Sequence, residues 1–375
     1  RVTKKAEIGQ DFNAYSLSLS SLGANNLQID TNYAINETSA FRLNAYSDTF
    51  ENHRDFSNGS GYGVNPSFKF ELSNQTTLDV SVEAIDYDRS IDRGIPSGAD
   101  GKPADALNDI VFGDPDLNKS EFESISFRAM LQHSFSDTLK GIFTASYTDY
   151  DKLYQNFYAS AYDEAATPDL VITDGYRDTT ERQNLILSGN LIAEFETGNI
   201  KHTVLFGGEL ISSKSKNDRY NPEFVTLTPD DPTTPADESD GGTGPGTAFT
   251  TDDNASFLIT ERDIAGVGFN AGGLGAGPFT DLNDDTSTDL SVFSLYVQDE
   301  IEISDVLTVV LGARFDSFDI DVTNNESGAK GSRVDDEFTP RGGIIYKLQE
   351  NLSLYASYSQ TFLPTSGGQF ASLGA

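Results

Sequence analysis

An all-β fold is what this 375-residue sequence predicts: a transmembrane antiparallel up-and-down β-barrel of about thirteen strands, present as an incomplete wall. Three observations carry the prediction. Apolar side chains recur at every second position in segment after segment, the period of a strand with one apolar and one polar face. From residue 35 onward the connections between segments alternate short and long, as in a barrel trimmed on one side of a bilayer and extended on the other; only the first, at 22–25, is short where a long one is due. No amphipathic helix is available to cover so many apolar faces. A soluble sheet with one wet face therefore fits less well than a closed barrel in lipid, where every backbone group is paired and no edge is left.

The strands follow in order. Tyr15, Leu17 and Leu19 alternate with serines. After a turn at 22–25 come Leu27, Ile29, Thr31, Tyr33 and Ile35, then Phe41, Leu43 and Ala45. A loop at 47–62 leads to Pro66, Phe68, Phe70 and Leu72, and a tight turn to Leu78, Val80, Val82 and Ala84. A long loop rich in Gly, Pro and Asp, 88–121, precedes Ile125, Phe127, Ala129 and Leu131, followed by Leu139, Phe143, Ala145 and Tyr147. Another loop, 151–181, precedes Leu185 to Phe195 and then Val204 to Leu210. The longest irregular stretch, 214–289, separates these from the most regular block, 290–362. There four alternating segments run with tight turns at 303–307 and 348–352 and a polar loop at 323–336. In Leu307, Val309, Leu311, Ala313 and Phe315 every second side chain is apolar, while Thr308, Gly312, Arg314 and Asp316 fall between. Substitutions are then to be read by parity: Val309→Arg at mid-membrane depth costs about 2–4 kcal/mol, Thr308→Arg much less. Asp299 breaks the rule, sitting on the apolar parity of Phe293, Leu295, Val297 and Ile301; an interfacial site or a bulge accounts for it.

Composition agrees. With 25 Phe, 16 Tyr and 33 Gly but only 37% hydrophobic residues, the chain favours strands and turns over helical core. No run of about 18 apolar residues forms a membrane helix, whereas a membrane strand needs only ~10 alternating residues. There is no cysteine, so no disulfide framework or thiolate metal site. A net charge of −34 argues against nucleic acid as a partner, since phosphate binding needs a basic surface; the acidity reads as solvation. The chain opens RVTKKAEIGQ, without Met or an apolar leader core. Its strand count is odd where bacterial barrels have an even number, so it reads as a piece of a longer chain.

Several ordered motifs resemble one family. VTKK at 2–5, the SAFRLNAYSDTFENHRDF segment, Asp92-Arg93-Gly94-Ile95-Pro96, KHTVLFGGE at 201–209, LYVQDEIEIS, LGARFD, FTPRGGIIYK and NLSLYASYSQTF are similar, in order, to segments of TonB-dependent siderophore receptors. The resemblance implies a 22-stranded bacterial outer-membrane barrel filled by an N-terminal plug. On this reading residues 1–11 are the end of the plug and the linker, and 12–375 a partial barrel whose external loops are 47–62, 88–121, 151–181, 214–289 and 323–336. The plug with its TonB-contacting box and about nine final strands are absent. It further implies a ferric siderophore as ligand, with iron carried as a chelate and no protein-bound cofactor. The partners are the TonB complex, through the plug region, and outer-membrane lipid and lipopolysaccharide.

Ligand contacts are expected from aromatics at the upper, inward ends of strands and in long loops: Tyr46, Phe56, Tyr87, Tyr150, Tyr154, Phe157, Tyr158, Tyr220 and Phe318. Rigid rings offer area and a polar tip at low entropic cost; interface-girdle or loop packing is the alternative. Arg54, Arg93, Arg177, Arg219 and Arg314 suit an anionic chelate or, alternatively, a lumen salt-bridge ladder with Asp30, Asp79, Glu83 and Glu209. The acidic runs DDPTTPADESD and DLNDDTSTD lack calcium-loop spacing, and AGVGFNAGGLGAGP lacks a phosphate-loop pattern. His53, His133 and His202 are scattered, with no metal pair and no catalytic set, so no enzyme is expected. A passive porin-like channel, or uptake of another nutrient such as cobalamin, a nickel chelate or a glycan, are the competing functions.

Overall fold

The computed structural model describes residues 4–108, 110–113, 116–163, 170–222, 224–227, 249–252, 255–258, 279 and 281–364. The alternating segments form one antiparallel sheet. Its strands are β1 (Phe12–Leu19), β2 (Asn25–Asn36), β3 (Ser39–Glu51), β4 (Asn58–Ser73), β5 (Thr76–Ser90), β6 (Lys119–Ser136), β7 (Leu139–Asp163), β8 (Leu170–Thr197) and β9 (Ile200–Asn221), continued by β13 (Asp281–Ser304), β14 (Leu307–Asn324), β15 (Lys330–Gln349) and β16 (Leu352–Ser359). Each pairs with its neighbour in this order. Between β9 and β13, β10 (Phe224–Leu227) pairs with β11 (Phe249–Asp252), and β12 (Ala255–Leu258) pairs with the start of β8. No described helix is long and apolar enough to cross a membrane.

One end of the sheet carries six two-residue turns, at Glu37-Thr38, Asn74-Gln75, Asp137-Thr138, Gly198-Asn199, Asp305-Val306 and Glu350-Asn351. Tight hairpins favour mirror-image turns that need positive φ. Only Gly198, at φ +67°, supplies it, and only that hairpin closes in unbroken register, Thr197 opposite Ile200. The other five shift by one residue beside the turn, between Ala34 and Asn36, Glu71 and Ser73, Ser134 and Ser136, Glu302 and Ser304, and Lys347 and Gln349. An extra residue on one strand restores the geometry that a right-handed turn would otherwise splay.

The opposite end differs from expectation. The segments read as loops at 47–62 and 323–336 are mostly paired strand, leaving turns at 52–57 and 325–329. In 151–181 β7 continues to Asp163 and β8 begins at Leu170. DLNDDTSTD opens β13, paired with β9 from Asp281 against Asn221. Of 88–121, the described residues between 91 and 118 carry a 3₁₀ turn, Asp105–Leu107, and an isolated bridge between Ser97 and Pro103, and are otherwise irregular. Apolar alternation stops where the outer face meets water, whereas the hydrogen-bond ladder needs no apolar side chain to continue. The runs at 230–240 and 265–278 lie outside the described residues.

The two faces are inverted relative to a soluble protein. Leu17, Ile35, Leu72, Ile125, Phe195, Phe206, Leu210, Leu311, Phe338 and Ile344 are exposed on the outer face. These ten side chains are each about half exposed, so left in water they forfeit roughly half of the 1.5–3 kcal/mol that full burial brings, together comparable to a whole domain's stability of about 5–15 kcal/mol; lipid removes that loss. The inner face is polar, and Asn32, Asn156 and Ser294 are fully buried. Residues 4–11 lie along it. Asn32 donates to the Glu7 and Gln10 carbonyls (2.8 and 2.7 Å) and accepts from the Glu7 N–H (2.9 Å). Arg42 reaches Asp30, Glu7 and the Lys5 carbonyl, and Lys4 and Lys5 pair with Asp30 and Asp79.

Asp299 is not at a bulge, since the β13 shift falls three residues later, between Glu302 and Ser304. On the outer face its carboxylate meets His202 Nδ1 at 2.8 Å, and the imidazole stacks on Phe195 at 4.9 Å. Pairing is what makes this charge tolerable there.

Candidate functional site

On β7 the alternation that places Phe143, Ala145 and Tyr147 outward continues past the apolar stop. Tyr150, Lys152, Tyr154, Asn156 and Tyr158 therefore fall on the inner face. β8 brings Tyr176 opposite Asn156, and Asp178 opposite Tyr154 and Arg219. The Tyr176 ring stacks on Tyr154 at 5.8 Å and carries the Arg219 guanidinium at 4.3 Å; Arg219 also faces Asp178 at 3.7 Å.

Arg93 completes the cluster from the loop. Its guanidinium lies 4.6 Å from the Tyr158 ring centre and 5.8 Å from that of Tyr176. It donates to the Tyr176 hydroxyl at 2.9 Å and the Asn156 side-chain Oδ1 at 3.3 Å, so its hydrogen bonds go to neutral groups. Burial opposes the Arg93 charge, but the Tyr176, Tyr154 and Tyr158 oxygens outweigh it and hold its pKa above the ordinary value. Burial pushes the Tyr158 phenol up, and its hydrogen bond to Asp174 (2.8 Å) adds to the shift. Both groups keep their charge states across physiological pH.

The loop is built to present Arg93. Asp92 pairs with Arg54 and accepts from the Gly94 N–H at 2.9 Å; Gly94 sits at φ +80°, a conformation glycine takes at no steric cost. Arg54 also donates to the Asn108 and Ile110 carbonyls at 2.8 and 2.9 Å. Asn118 ties the loop's end to β7 through the Phe157 carbonyl and N–H. The Asp-Arg-Gly-Ile-Pro motif is thus an anchor, a presented cation and a turn.

The other expected contacts divide. Tyr87 and Tyr150 face inward and join Phe122 in a row across β5, β6 and β7, with ring centres 5.4 and 5.5 Å apart. Tyr46 also faces inward, lying across Gly63, where a side chain would strike its ring. It lines a cavity of about 650 Å³ with Lys4, Asp30, Asp48 and Glu83. Phe318 packs near Phe362, 5.9 Å between centres. Phe56 is exposed at the 52–57 turn at φ +59°, a strained conformation for a non-glycine residue.

Three placements correct the sequence reading. Arg177 and Tyr220 share the outward parity of Leu185 and Leu210 and face each other there, with the guanidinium 5.9 Å from the ring. Phe157, also of outward parity, is fully buried against Phe279 at 4.8 Å. Arg314 belongs to the salt-bridge alternative. It pairs with Asp316 and Glu209 at 2.8 and 3.3 Å, donates to Ser294 and covers Tyr296. Sequence reasoning missed Tyr176, Asn156, Phe122 and Arg182; stepping by two from Leu185, Tyr147 and Ile125 across the apparent loops places them all.

Against known proteins, the sequence family described as TonB dependent receptor-like, beta-barrel matches residues 63–374. The metal-pseudopaline receptor CntO of Pseudomonas aeruginosa is 24% identical over 383 residues, covering 99% of this chain and 48% of that protein. The crystal structure of the siderophore receptor PiuA from Acinetobacter baumannii superposes with a TM-score of 0.76 at 22% identity, covering 95% of this chain and 50% of that one. The ferripyoverdine receptor of Pseudomonas aeruginosa gives 0.75 at 16% identity, covering 97% and 44%. The chain spans about half the length of the curated relatives it matches. An open sheet with lipid on one face and a polar lumen on the other, matched to this family over most of its length, is an outer-membrane barrel wall, and the chain belongs to the TonB-dependent receptor-like β-barrel family.

Proposed function

We propose that the protein containing this wall takes up a ferric siderophore across the outer membrane. On this reading residues 1–11 lead out of a plug, the TonB complex acts through that plug, and iron crosses as its chelate rather than as a bound cofactor. Two features support the division: β1 begins at Phe12, and residues 4–11 run along the lumen wall. Outer-membrane lipid and lipopolysaccharide would contact the exposed apolar band.

The observation that carries the reading is the Arg93–Tyr176–Arg219 stack, flanked by Tyr154 and Tyr158. It presents cations over aromatic faces, above the apolar band and toward the lumen. With both arginines exposed, such cation–π contacts are worth about 0.5–1 kcal/mol each. Together the stack offers aromatic surface and the positive charge of Arg93, whose hydrogen bonds go to neutral groups, to an anionic chelate, while Arg219 is shared with Asp178. The relative named for a metal–pseudopaline complex makes chelates of other metals a second arm of the test. Cells with and without the gene are given ⁵⁵Fe- or ⁶⁵Zn-labelled chelates. Iron uptake that depends on the gene and falls on Arg93→Ala supports the reading. Gene-dependent uptake of zinc alone moves the cargo, and unchanged uptake of both removes it. A steady open conductance of the full-length protein would favour a passive channel instead.

A further inference from the structure

The charges of the Arg93 cluster are of both signs, and most of them are matched within it. At this level the inner face carries Arg93, Arg219 and Lys152 against Asp174, Asp178 and Asp284. Arg219 faces Asp178 at 3.7 Å, and Asp284 stands opposite Arg219 in the β9–β13 ladder, on the same face. Lys152, 5.9 Å from the Tyr154 ring centre, places a further positive charge near Asp178. Those two cations and two carboxylates balance. Arg93 and Asp174 are left over.

Asp174 mirrors Arg93 in bonding only neutral groups. Its carboxylate accepts from the Tyr158 hydroxyl at 2.8 Å and from the Gly175 N–H at 2.6 Å. Among the described residues neither Arg93 nor Asp174 forms an ion pair. Tyr158 joins them, with the Arg93 guanidinium over its ring and the Asp174 carboxylate at its phenol oxygen. Tyr158 and Asp174 are direct partners in the β7–β8 ladder, so the sheet fixes the carboxylate, while the anchored loop fixes the guanidinium. The contrast with Arg314 is direct, because that lumen arginine is closed by two carboxylates and a serine. A ligand that is negative throughout gains at Arg93 but meets a like charge at Asp174, and a like charge without a partner acts against such a ligand.

We propose that Arg93 and Asp174 together select a zwitterionic chelate, an iron complex whose ligand carries a carboxylate for Arg93 and a protonated amine for Asp174. This rests on the receptor reading above and names the class of its cargo. The carboxylate takes the planar guanidinium fork, the ammonium donates to Asp174, and the Tyr158 ring sets the spacing between them. A chelate without the amine is held at one end only. Asp174 is the specificity-determining residue, acting through its charge. A merely structural role, holding the Tyr158 phenol, would affect chelates with and without the amine alike.

The probes are the ⁵⁵Fe(III) complexes of 2,3-dihydroxybenzoyl-lysine and 2,3-dihydroxybenzoyl-norleucine. They share the catechol, the carboxylate and the carbon chain, and differ by the terminal ammonium. Equilibrium dialysis against the full-length protein gives the ratio of the two affinities. The unaltered protein should hold the lysine complex about tenfold tighter. Asp174→Asn keeps an acceptor for Tyr158 and Gly175 but removes the charge, and the ratio should fall to within about twofold of one. Asp151→Asn removes the same charge from the outward parity of β7 and should leave the ratio as it was. A ratio near one in the unaltered protein, a ratio that survives Asp174→Asn, or an equal fall in Asp151→Asn would each overturn the selection. In those cases binding of both complexes that is lost in Arg93→Ala leaves the receptor reading standing. If neither complex binds, the selection falls, and gene-dependent uptake of labelled chelates decides the receptor reading separately.

Discussion

Val297→Arg and Gln298→Arg, neighbours in β13, should differ by several-fold in their cost to the folded barrel. Val297 is outward and 45% exposed, flanked by Phe206 of β9 and Ala313 of β14. It stands eight residues above the Asp305-Val306 turn, which at ~3.3 Å per residue and a tilt near 40° is roughly 20 Å along the membrane normal. Less the turn itself, that is close to the middle of an apolar band about 25 Å tall, where an arginine costs about 2–4 kcal/mol. Val309 is less informative, because it lies only two residues into β14 and so nearer the interface, where the cost falls to about 0–1 kcal/mol. Gln298 faces the watery lumen opposite Leu205 and Gly312, and there a charge should change stability by about 0.5 kcal/mol or less. Urea titrations of the full-length barrel refolding into vesicles read both. Equal effects, or a larger one at Gln298, would refute the assignment of faces.

Two further outcomes follow from local geometry. Gly198→Ala should cost about 1–2 kcal/mol, because alanine resists the left-handed conformation while its methyl meets nothing within 4 Å; Gly198→Asn should recover part of that in the same titration. Asn32→Ala removes three hydrogen bonds to the backbone of residues 7 and 10 and should cost about 1–3 kcal/mol. Because those bonds hold residues 4–11 to the wall, trypsin should then cut after Lys4 and Lys5 faster than in the unaltered protein, and an unchanged rate would show that the segment is held elsewhere.

The wall was legible because lipid and water impose opposite chemistry on alternate residues. Leu185 to Phe195 or Leu307 to Phe315 need no partner information to be placed. The hairpin ends above the membrane were not legible. Beyond Tyr147 the apolar alternation breaks at Asp149 and Asp151, so the chain from Asp151 reads as loop although its backbone is still paired. The misassigned Arg177 and Tyr220 mark the same boundary: residue type suggested ligand contacts, whereas counting by twos from Leu185 and Leu210 puts both outside. Tyr176 and Arg219, each one residue away, are the inward pair. Arg93 was recognisable from its motif, but the rings it meets, Tyr158 and Tyr176, lie far along the chain, the second 83 residues onward, and only strand pairing brings them together.

Binding of the iron(III)–2,3-dihydroxybenzoate complex to the full-length protein, titrated for three variants, decides whether the Arg93 cluster holds an anionic chelate. Arg93→Ala and Tyr176→Ala should each weaken binding about tenfold or more, while Arg177→Ala, on the outer face, leaves it unchanged. Loss of affinity in Arg177→Ala with none in Arg93→Ala or Tyr176→Ala would contradict it.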